Sequence, residues 1–432
     1  MENIFNSPFF VKLQNFGQKL GSNKFLSALQ AAMMSTMGVI MVGAISTIIA
    51  SLGSQFGWFE VGSDIYNIIY APYKFTMDML SAWVVLLFAY NYAKKLDLES
   101  PILKAINAII VFFLVAAPLS TNEAGTYFID ITYLSAQGMF VGFLIVFVVI
   151  QIEKFVVDRD IRIKMPDVVP QFLTDSLSSI IPLTIDVLIF SILGIVVSAL
   201  TNGVHTVPSG FMALLSAPLA ALTSVPGILI LITFAAVLWI FGIHGTMIIV
   251  PVVMPLMFQA AQVNAAAYQA GEPLTFFPVA IFSAVSFVGG TGNTLPLVLM
   301  GLRSKSEQIR AVSKVALVPG WFNINEPVTF GMPIMYNPIL AIPFVLNVPI
   351  MGILLYFGYM SGFLTMTVVP IFSLLPMGVA EFLTTLNWRN ALWTYLMIIP
   401  VGLIYYPFFK AYEKQLVAKE QEAAQLEADA VV

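Results

Sequence analysis

Cysteine is absent from the 432 residues, and histidine occurs only as His205 and His244. Without thiols the chain has no disulfide, no thiolate metal ligand and no cysteine nucleophile or phosphocysteine. Two imidazoles are too few for a conventional multi-histidine metal centre. We therefore expect neither a metal site nor another cofactor.

Charge is scarce as well. Only 10% of the residues are charged, whereas 59% are hydrophobic, and an average soluble domain is about a quarter charged. The basic residues form no stripe of the size that nucleic-acid binding requires, so we exclude a nucleic-acid partner. A chain this apolar cannot cover itself with polar surface in water. Its solvent is therefore predicted to be a lipid bilayer.

The N-terminal segment lacks the features of a cleavable signal peptide. Residues 1–27 contain no short apolar core that ends in a small-residue cleavage site. The stretch 9–16 instead favours an amphipathic helix that lies along the membrane interface. Segment 158–178, with its prolines and arginines, is interpreted in the same way.

Long apolar runs fill most of the chain. Because a spanning helix needs about 20 apolar residues, eleven stretches qualify as candidate spans. This number is a ceiling, since some stretches can enter and leave the membrane on one face. The candidates are 28–52, 74–95, 102–119, 132–157, 179–202, 225–253, 277–301, 312–334, 337–358, 360–383 and 391–411.

Connections rich in lysine and arginine alternate with connections that have neither. Segment 1–27 holds three lysines, 53–73 has no base, and 203–225 is bare again. Basic residues concentrate on the cytoplasmic side of membrane proteins, so five spans are predicted to follow a cytoplasmic N-terminus. Lysines near the C-terminus place that end in the cytoplasm too. After residue 254 the alternation is irregular, as re-entrant segments surrounded by protein would make it.

The most informative stretch is 319–333, which contains Asn323, Asn325 and Glu326. An ionisable side chain in an apolar segment is costly at membrane depth and needs partners, so it marks a candidate functional site. Pro327 disfavours helical geometry at the residue before it, which would leave backbone groups for a ligand. The alternative is a loop glutamate exposed to water at the membrane face.

Glycines break a second apolar segment. The run Gly289–Pro296 contains Gly290, Gly292 and Asn293, and it suits the tip of a hairpin whose backbone approaches a polyhydroxylated substrate. It lacks the Lys-Ser/Thr ending of a phosphate-binding loop. Glycines that only permit tight helix packing in lipid are the alternative.

A histidine lies inside a third apolar segment. His244 follows Trp239 by five residues, and an imidazole at this depth is a candidate proton carrier or hydrogen-bonding group. The alternative is a histidine that bonds a backbone carbonyl and serves helix packing. Asp186 is expected to be structural. Trp388 and Trp393 fit an aromatic belt or a stack against a sugar ring.

These motifs resemble the enzyme IIC, or permease, component of the bacterial phosphotransferase system, and more narrowly its lactose/cellobiose/diacetylchitobiose family. The resemblance covers essentially the whole chain and is most specific at 242–245, 289–294 and 323–327. It implies an all-α integral membrane protein with about ten transmembrane helices, two re-entrant hairpins and amphipathic interfacial helices.

The resemblance also implies a division of labour along the chain. Residues 1–205 would form the interface of a homodimer, and residues 206–412 would form the sugar-binding transport domain. Residues 413–432 are expected to be a solvated cytoplasmic tail. The protein would reside in the bacterial plasma membrane with both termini in the cytoplasm.

For the site, the resemblance implies that Glu326 and His244 lie at the sugar hydroxyl that is phosphorylated. The residues expected to contact or line the sugar are Gly290, Gly292, Asn293, Asn325, Trp239 and Trp388. The substrate would be a β-linked disaccharide, with cellobiose first, then diacetylchitobiose and lactose.

The implied activity is group translocation driven by phosphoenolpyruvate. The phosphoryl donor in that family is a phosphocysteine of the IIB component, which this cysteine-free chain cannot supply. A separate IIB protein, loaded by IIA, is therefore the expected partner, and the chain would act as one component of a transport-coupled phosphotransferase. An ion-coupled secondary transporter that uses Glu326, His244 or Asp186 is the alternative.

Overall fold

In a computed structural model the chain is almost entirely helical. The structure describes residues 8–122, 125–161, 163, 165–166, 169–332, 334–371 and 375–430. In the first half the helices are α1 Pro8–Gly21, α2 Lys24–Ser35, α3 Met37–Gln55, α4 Asp64–Thr76, α5 Leu80–Lys95, α6 Pro101–Ala116, α7 Met139–Asp158, α8 Gln171–Ser178, α9 Ile180–Leu200 and α10 Val207–Leu222. They are followed by α11 Val225–Ile240, α12 Gly245–Ala270, α13 Val279–Ala284, α14 Leu295–Gly301, α15 Glu307–Trp321, α16 Glu326–Gly331, α17 Pro338–Met360, α18 Val379–Thr385, α19 Trp388–Leu396 and α20 Ile398–Ala430.

A short antiparallel pair of strands, β1 Leu119–Thr121 and β2 Tyr127–Ile129, joins α6 to α7. Two single turns of 3₁₀-helix, Thr132–Leu134 and Ala136–Gly138, follow it. Of the predicted interfacial segment 158–178, residues 162, 164, 167 and 168 lie outside the described residues. Helix α8 occupies the end of that segment.

The chain divides into two compact units. The C-terminal unit contains the described residues of Met1–Gly21, Ala221–Val250 and Val263–Val432, and the N-terminal unit contains Ser22–Ala220 and Pro251–Gln262. Helix α1 thus belongs with the C-terminal half of the chain. The functional division expected at residue 205 stays a prediction.

Within the described ranges, six helical segments are long and apolar enough to cross a membrane, and a seventh is possible if α10 and α11, which meet at 72°, form one broken span. The six are Lys24–Ser54, Ala136–Asp158, Leu173–Leu200, Gly245–Ala270, Pro338–Met360 and Trp388–Ala423. The all-α membrane class is confirmed. The total of ten transmembrane helices stays a prediction.

In the N-terminal unit, α5 is the central helix and packs against α2, α6 and α7. Lys104 of α6 and Glu153 of α7 form a buried ion pair with 2.8 Å between Nζ and Oε2. Asn107 Nδ2 donates to the other oxygen of Glu153 at 2.6 Å. Asp186 of α9 is also fully buried, and its expected structural role stays a prediction.

Three predicted spans of the C-terminal half are broken in the structure. Segment 225–253 is divided between α11 and α12 at residues 241–244, where Gly242 has a φ of 73°. Segments 277–301 and 312–334 each form two short helices around a turn. Positive φ angles at glycine and asparagine end the helical hydrogen bonding at each break.

The prediction of a span at 360–383 is wrong for the described residues. Neither 361–371 nor 375–378 is helical, and α18 begins only at Val379. The segment is apolar, but Gly362 and Gly378 have positive φ angles. Pro370 and Pro376 also lack the N–H that a helix would use. Apolar composition alone therefore overestimated the number of spans.

The last helix extends beyond the predicted membrane span. Helix α20 continues to Ala430, well past the predicted span 391–411. Glu413, the first residue of the tail that we expected to be solvated, is only 6% exposed. Helix α17 packs on α11 and α20, and α14 packs on α15 and α20, so the two breaks at 285–294 and 322–325 lie within one packed unit.

Candidate functional site

The first part of the site is the break between α11 and α12. The amides of Phe241 and Gly242 close α11 by bonding the carbonyls of Leu238 and Trp239, both at 3.0 Å. His244 then caps α12, because its Nδ1 accepts the N–H of Met247 at 3.3 Å. A neutral imidazole that accepts at Nδ1 carries its proton at Nε2. His244 can therefore donate a hydrogen bond to a ligand.

Trp239 lies against His244. The centroids of the two rings are 4.3 Å apart at an interplanar angle of 49°, and Trp239 is only 3% exposed. A ring held this closely restricts the rotation of the imidazole. The orientation of His244 is thus fixed by the cap on one side and by the indole on the other.

The break is also supported by Tyr336, in the connection after α16. Its N–H donates to the carbonyl of Ile240, and its hydroxyl donates to the carbonyl of Phe241, both at 3.1 Å. Gln14 of α1 donates to the same hydroxyl at 3.1 Å. Carbonyls freed at the end of α11 thereby acquire partners, as the end of a helix in an apolar environment requires.

The second part is the glycine tip, which we define as Gly289–Thr294. Every residue of the tip is buried. Asn293, with a φ of 55°, accepts the N–H of Val288 through Oδ1 at 3.3 Å, and Thr294 Oγ1 donates to the carbonyl of Gly289 at 2.8 Å. The tip is therefore closed by its own side chains.

Glycine is required in the tip for two reasons. Gly290 and Gly292 have φ angles of 78° and 80°, which side chains with a Cβ rarely adopt. A Cβ on Gly290 would lie 2.8 Å from the carbonyl oxygen of Asn323, and one on Gly292 would overlap the ring of Phe344. The two glycines thus allow neighbouring segments to approach the tip closely.

The third part is the asparagine turn, which we define as Phe322–Glu326. Asn323 Oδ1 accepts the N–H of Gly289 at 3.0 Å, and Asn325 Nδ2 donates to the carbonyl of Thr291 at 2.7 Å. Two side-chain amides thereby fasten this turn to the glycine tip. Asn325 is 4% exposed, so its amide is fixed in a desolvated environment.

Glu326 is the first residue of α16 and is half-buried. Our expectation that Pro327 would keep it out of helical geometry is wrong, because proline is tolerated in the first turn of a helix, where no N–H partner is lost. Glu326 lies close enough to His244 for its charge to act on the imidazole. Pro333, the last residue of the stretch, lies outside the described residues.

One hydroxyl pair joins all three parts. Thr246, two residues after His244, lies 3.0 Å from Thr291 of the glycine tip, measured between the Oγ1 atoms. Thr291 in turn bonds Asn325 through its carbonyl. Sequence reasoning missed both threonines, although Thr291 lies inside a motif that it selected and Thr246 directly follows one.

The structure thus brings together seven of the eight predicted site residues. They are Trp239, His244, Gly290, Gly292, Asn293, Asn325 and Glu326. Trp388 is different, because it is 62% exposed at the start of α19 and takes no part in the bonds described above. The side chain of Asn293 is fully buried, so the roles of these residues toward a sugar stay predictions.

The arrangement suits a neutral polar ligand. A half-buried carboxylate and an imidazole N–H can accept from and donate to the hydroxyls of one molecule, and an indole offers an apolar face. Within the described ranges no three histidine, aspartate or glutamate side chains are grouped to hold a metal ion.

Comparison with known proteins assigns the class. The family described as "Phosphotransferase system, EIIC" matches residues 30–347, so the chain belongs to this family of sugar permeases. The crystal structure of the transporter ChbC, the IIC component from the N,N'-diacetylchitobiose-specific phosphotransferase system, superposes with a TM-score of 0.86 and 26% identity. The match covers 94% of this chain and 98% of ChbC.

Curated relatives match this chain over nearly its whole length. The oligo-beta-mannoside-specific EIIC component of Bacillus subtilis (strain 168) is 30% identical over 424 residues, which are 94% of this chain and 93% of the relative. The lichenan permease IIC component of the same organism is 30% identical, with coverage of 95% and 94%. The lactose-specific EIICB component of Lacticaseibacillus casei is 28% identical, with coverage of 95% and 72%.

Family membership confirms a membrane-embedded, sugar-specific IIC component that works with a IIB component and a sugar substrate. The predicted family is therefore confirmed. The alternative of an ion-coupled secondary transporter finds no support among these matches.

Proposed function

We propose that this permease takes up a β-linked disaccharide and presents its C6 hydroxyl for phosphorylation by a separate IIB protein. The observation that carries the proposal is that the turns bearing His244 and Glu326 are bound together through Thr246, Thr291 and Asn325. A carboxylate and an imidazole N–H at one place can orient a hydroxyl and accept its proton.

In this mechanism Glu326 is the general base or the group that orients the attacking hydroxyl, and His244 donates from Nε2 to the same region. Phosphoryl transfer depends mainly on in-line positioning and on charge stabilisation, with little covalent chemistry for the protein to perform. The setting of His244, which is held by its cap on α12 and by Trp239, suits this demand. Proton removal by a positioned carboxylate contributes about 100- to 10,000-fold.

For the substrate we propose cellobiose first, then diacetylchitobiose, then lactose. The relatives named above are specific for lactose, oligo-beta-mannoside, lichenan and N,N'-diacetylchitobiose. Lactose and diacetylchitobiose are themselves β-linked disaccharides. Trp239 and Trp388 are the candidates for stacking against the apolar face of a pyranose ring, with the glycine tip and Asn325 lining the sugar.

For partners we propose a IIB protein with the phosphocysteine that this chain lacks, loaded by IIA from the general phosphocarrier proteins. Residues 1–205 form the interface of a homodimer and residues 206–412 the transport domain. Both termini face the cytoplasm. Phosphorylation traps the sugar as a charged product, so no ion gradient is needed.

Uptake by membrane vesicles tests the proposal. Labelled cellobiose should accumulate as a phosphate only when phosphorylated IIB and phosphoenolpyruvate are supplied inside, and a protonophore should not abolish uptake. Competition of labelled cellobiose with unlabelled diacetylchitobiose and lactose ranks the three sugars as substrates. Uptake of unmodified sugar that a protonophore abolishes would contradict the proposed mechanism.

A further inference from the structure

Helix α20 carries a buried face that the sugar site does not explain. Val401, Tyr405, Phe409 and Glu413 are 2%, 0%, 2% and 6% exposed. A spacing of four residues places them on one side of the helix, and Glu420 continues that side two turns later. The predicted span ends at residue 411, so burial in a bilayer does not account for Glu413, and Glu420 is partly buried.

Glu413 holds the joining loop, which we define as Leu302–Ser306 between α14 and α15. The hydroxyl of Ser304 and the N–H of Lys305 donate to Glu413 Oε1 at 2.7 and 2.9 Å. The Nζ of Lys410 lies 2.8 Å from Oε2. Both carboxylate oxygens are therefore engaged, in charge-assisted bonds that are stronger than neutral ones.

Glu420 caps α15 from a distant part of the chain. The hydroxyl of Ser306 and the N–H of Gln308 donate to its Oε1 at 2.6 and 3.2 Å, and the N–H of Glu307 donates to Oε2 at 3.2 Å. The first amides of a helix have no partner within the helix, and a carboxylate also complements the positive end of the helix dipole. Glu420 supplies acceptors for these amides and the negative charge that complements the dipole.

The same side of α20 reaches the glycine tip. The hydroxyl of Tyr405 donates to the carbonyl of Gly292 at 2.8 Å, and this bond is buried. From the joining loop, α14 leads back to the glycine tip and α15 leads on to the asparagine turn. One continuous helix, which contains Pro407, thus contacts the tip at one level and the loop between the two site segments at another.

We propose that α20 is a positioning strut in which Tyr405, Glu413 and Glu420 set the glycine tip and the joining loop at a fixed separation. The strut keeps α15 in the position from which the asparagine turn presents Glu326. This inference rests on the proposed function. A misplacement of about 1 Å can slow an in-line transfer by about 100-fold, so a small shift of α15 has a large effect on transfer.

Paired variants test the role of Glu420. Glu420→Ala is compared with Glu422→Ala, an exposed glutamate on the same helix, and a chain that ends after Lys419 is compared with one that ends after Glu422. We measure sugar affinity without IIB, the rate of phosphoryl transfer with IIB, and Tm. Phosphoryl transfer in the Glu420 variants should be slower by a factor of about ten or more. Their sugar affinity and Tm should stay close to those of the controls.

A distance measurement tests the strut without any measurement of activity. Because the chain has no native cysteine, spin labels at Val318→Cys on α15 and Leu403→Cys on α20, both exposed, report one distance. The distribution of distances between the two labels should broaden in the Glu420→Ala background and stay narrow in the Glu422→Ala background.

The strut is overturned if transfer and distance are the same in the Glu420 variants as in their controls. It is also overturned if affinity, Tm and transfer all fall together, because that result describes a folding element only. Failure of the unmodified chain to phosphorylate sugar with IIB would contradict the proposed function instead. The distance measurement would then still decide whether α20 positions α15.

Discussion

The glycine tip and the asparagine turn are bonded side by side, yet they use their polar atoms differently. The tip is buried throughout and bonds its own backbone through Asn293 and Thr294. The turn bonds the tip through Asn323 and Asn325, and its last residue, Glu326, is only half-buried. We therefore propose that the tip is the support and that the turn carries the reactive group. Substitutions in the two segments should therefore fail in different ways.

The largest effect is expected from Glu326→Gln. Glutamine keeps the size of the side chain but cannot accept a proton as a carboxylate does, so IIB-dependent phosphorylation should fall by about 100- to 10,000-fold. Sugar affinity should change far less. The rate of sugar-phosphate formation and the Kd for sugar are measured on the same preparation.

Glu272→Gln is the matched control, because Glu272 is exposed at the end of α12. It should phosphorylate sugar normally. A normal rate in Glu326→Gln would mean that the turn does not carry the reactive group, and the contrast between the two segments would disappear.

Gly292→Ala should produce the next largest effect, and this effect should include a loss of folding stability. The new methyl group meets the ring of Phe344 at a φ of 80°, and overpacking of this kind costs about 1–3 kcal/mol. Tm in detergent and sugar affinity should both fall. Gly271→Ala is the control that separates backbone strain from steric overlap, because Gly271 has a φ of 69° but open space around its Cβ position. Equal losses in the two variants would contradict the supporting role of the tip.

Thr291→Val removes the hydroxyl that meets Thr246 but keeps the carbonyl that accepts from Asn325. One neutral hydrogen bond contributes about 1 kcal/mol, so sugar affinity should fall modestly while transfer from bound sugar continues. Thr233→Val is the control, since its hydroxyl bonds the carbonyl of Leu229 in its own helix at 2.6 Å. If both variants bind sugar equally well, the threonine pair does not join the site.

The smallest effect is expected from Trp388→Ala. The side chain is 62% exposed, so a stacking contact with a sugar should be worth about 0.5 kcal/mol, the low end for aromatic pairs. Titration with cellobiose measures it. Trp58→Ala, which removes a tryptophan that is 72% exposed, controls for the loss of an interfacial ring. Unchanged affinity would assign Trp388 to the membrane interface alone.

The sequence predicted the all-α membrane class and selected the candidate site residues, whose roles stay predictions. Polar and glycine residues inside apolar runs are costly, so His244, Gly290 and Glu326 stood out without any structure. Their mutual proximity could not be read from spacing. It depends on side chains such as Thr246 and Tyr336, which no sequence pattern distinguishes from other threonines and tyrosines. Their role arises through hydrogen bonds to residues distant in the sequence.

The errors have physical causes as well. Segment 360–383 is apolar enough for a span, yet its prolines and positive-φ glycines exclude a continuous helix. Most described residues of the acidic tail 413–432 are exposed, and the buried Glu413 is the exception. Glu413 and Glu420 find their donors more than 100 positions earlier in the chain, and no local pattern announces such a pairing.

The threonine bridge between α12 and the glycine tip restricts how the protein can move its cargo. With Thr246 tied to Thr291, and Thr291 tied to Asn325, none of the three broken segments can shift alone without losing a desolvated bond. Any carrier step that keeps the sugar bound must displace these segments as one block. Gates that open and close the path then have to lie outside the bridge, at places where no such bond would be severed.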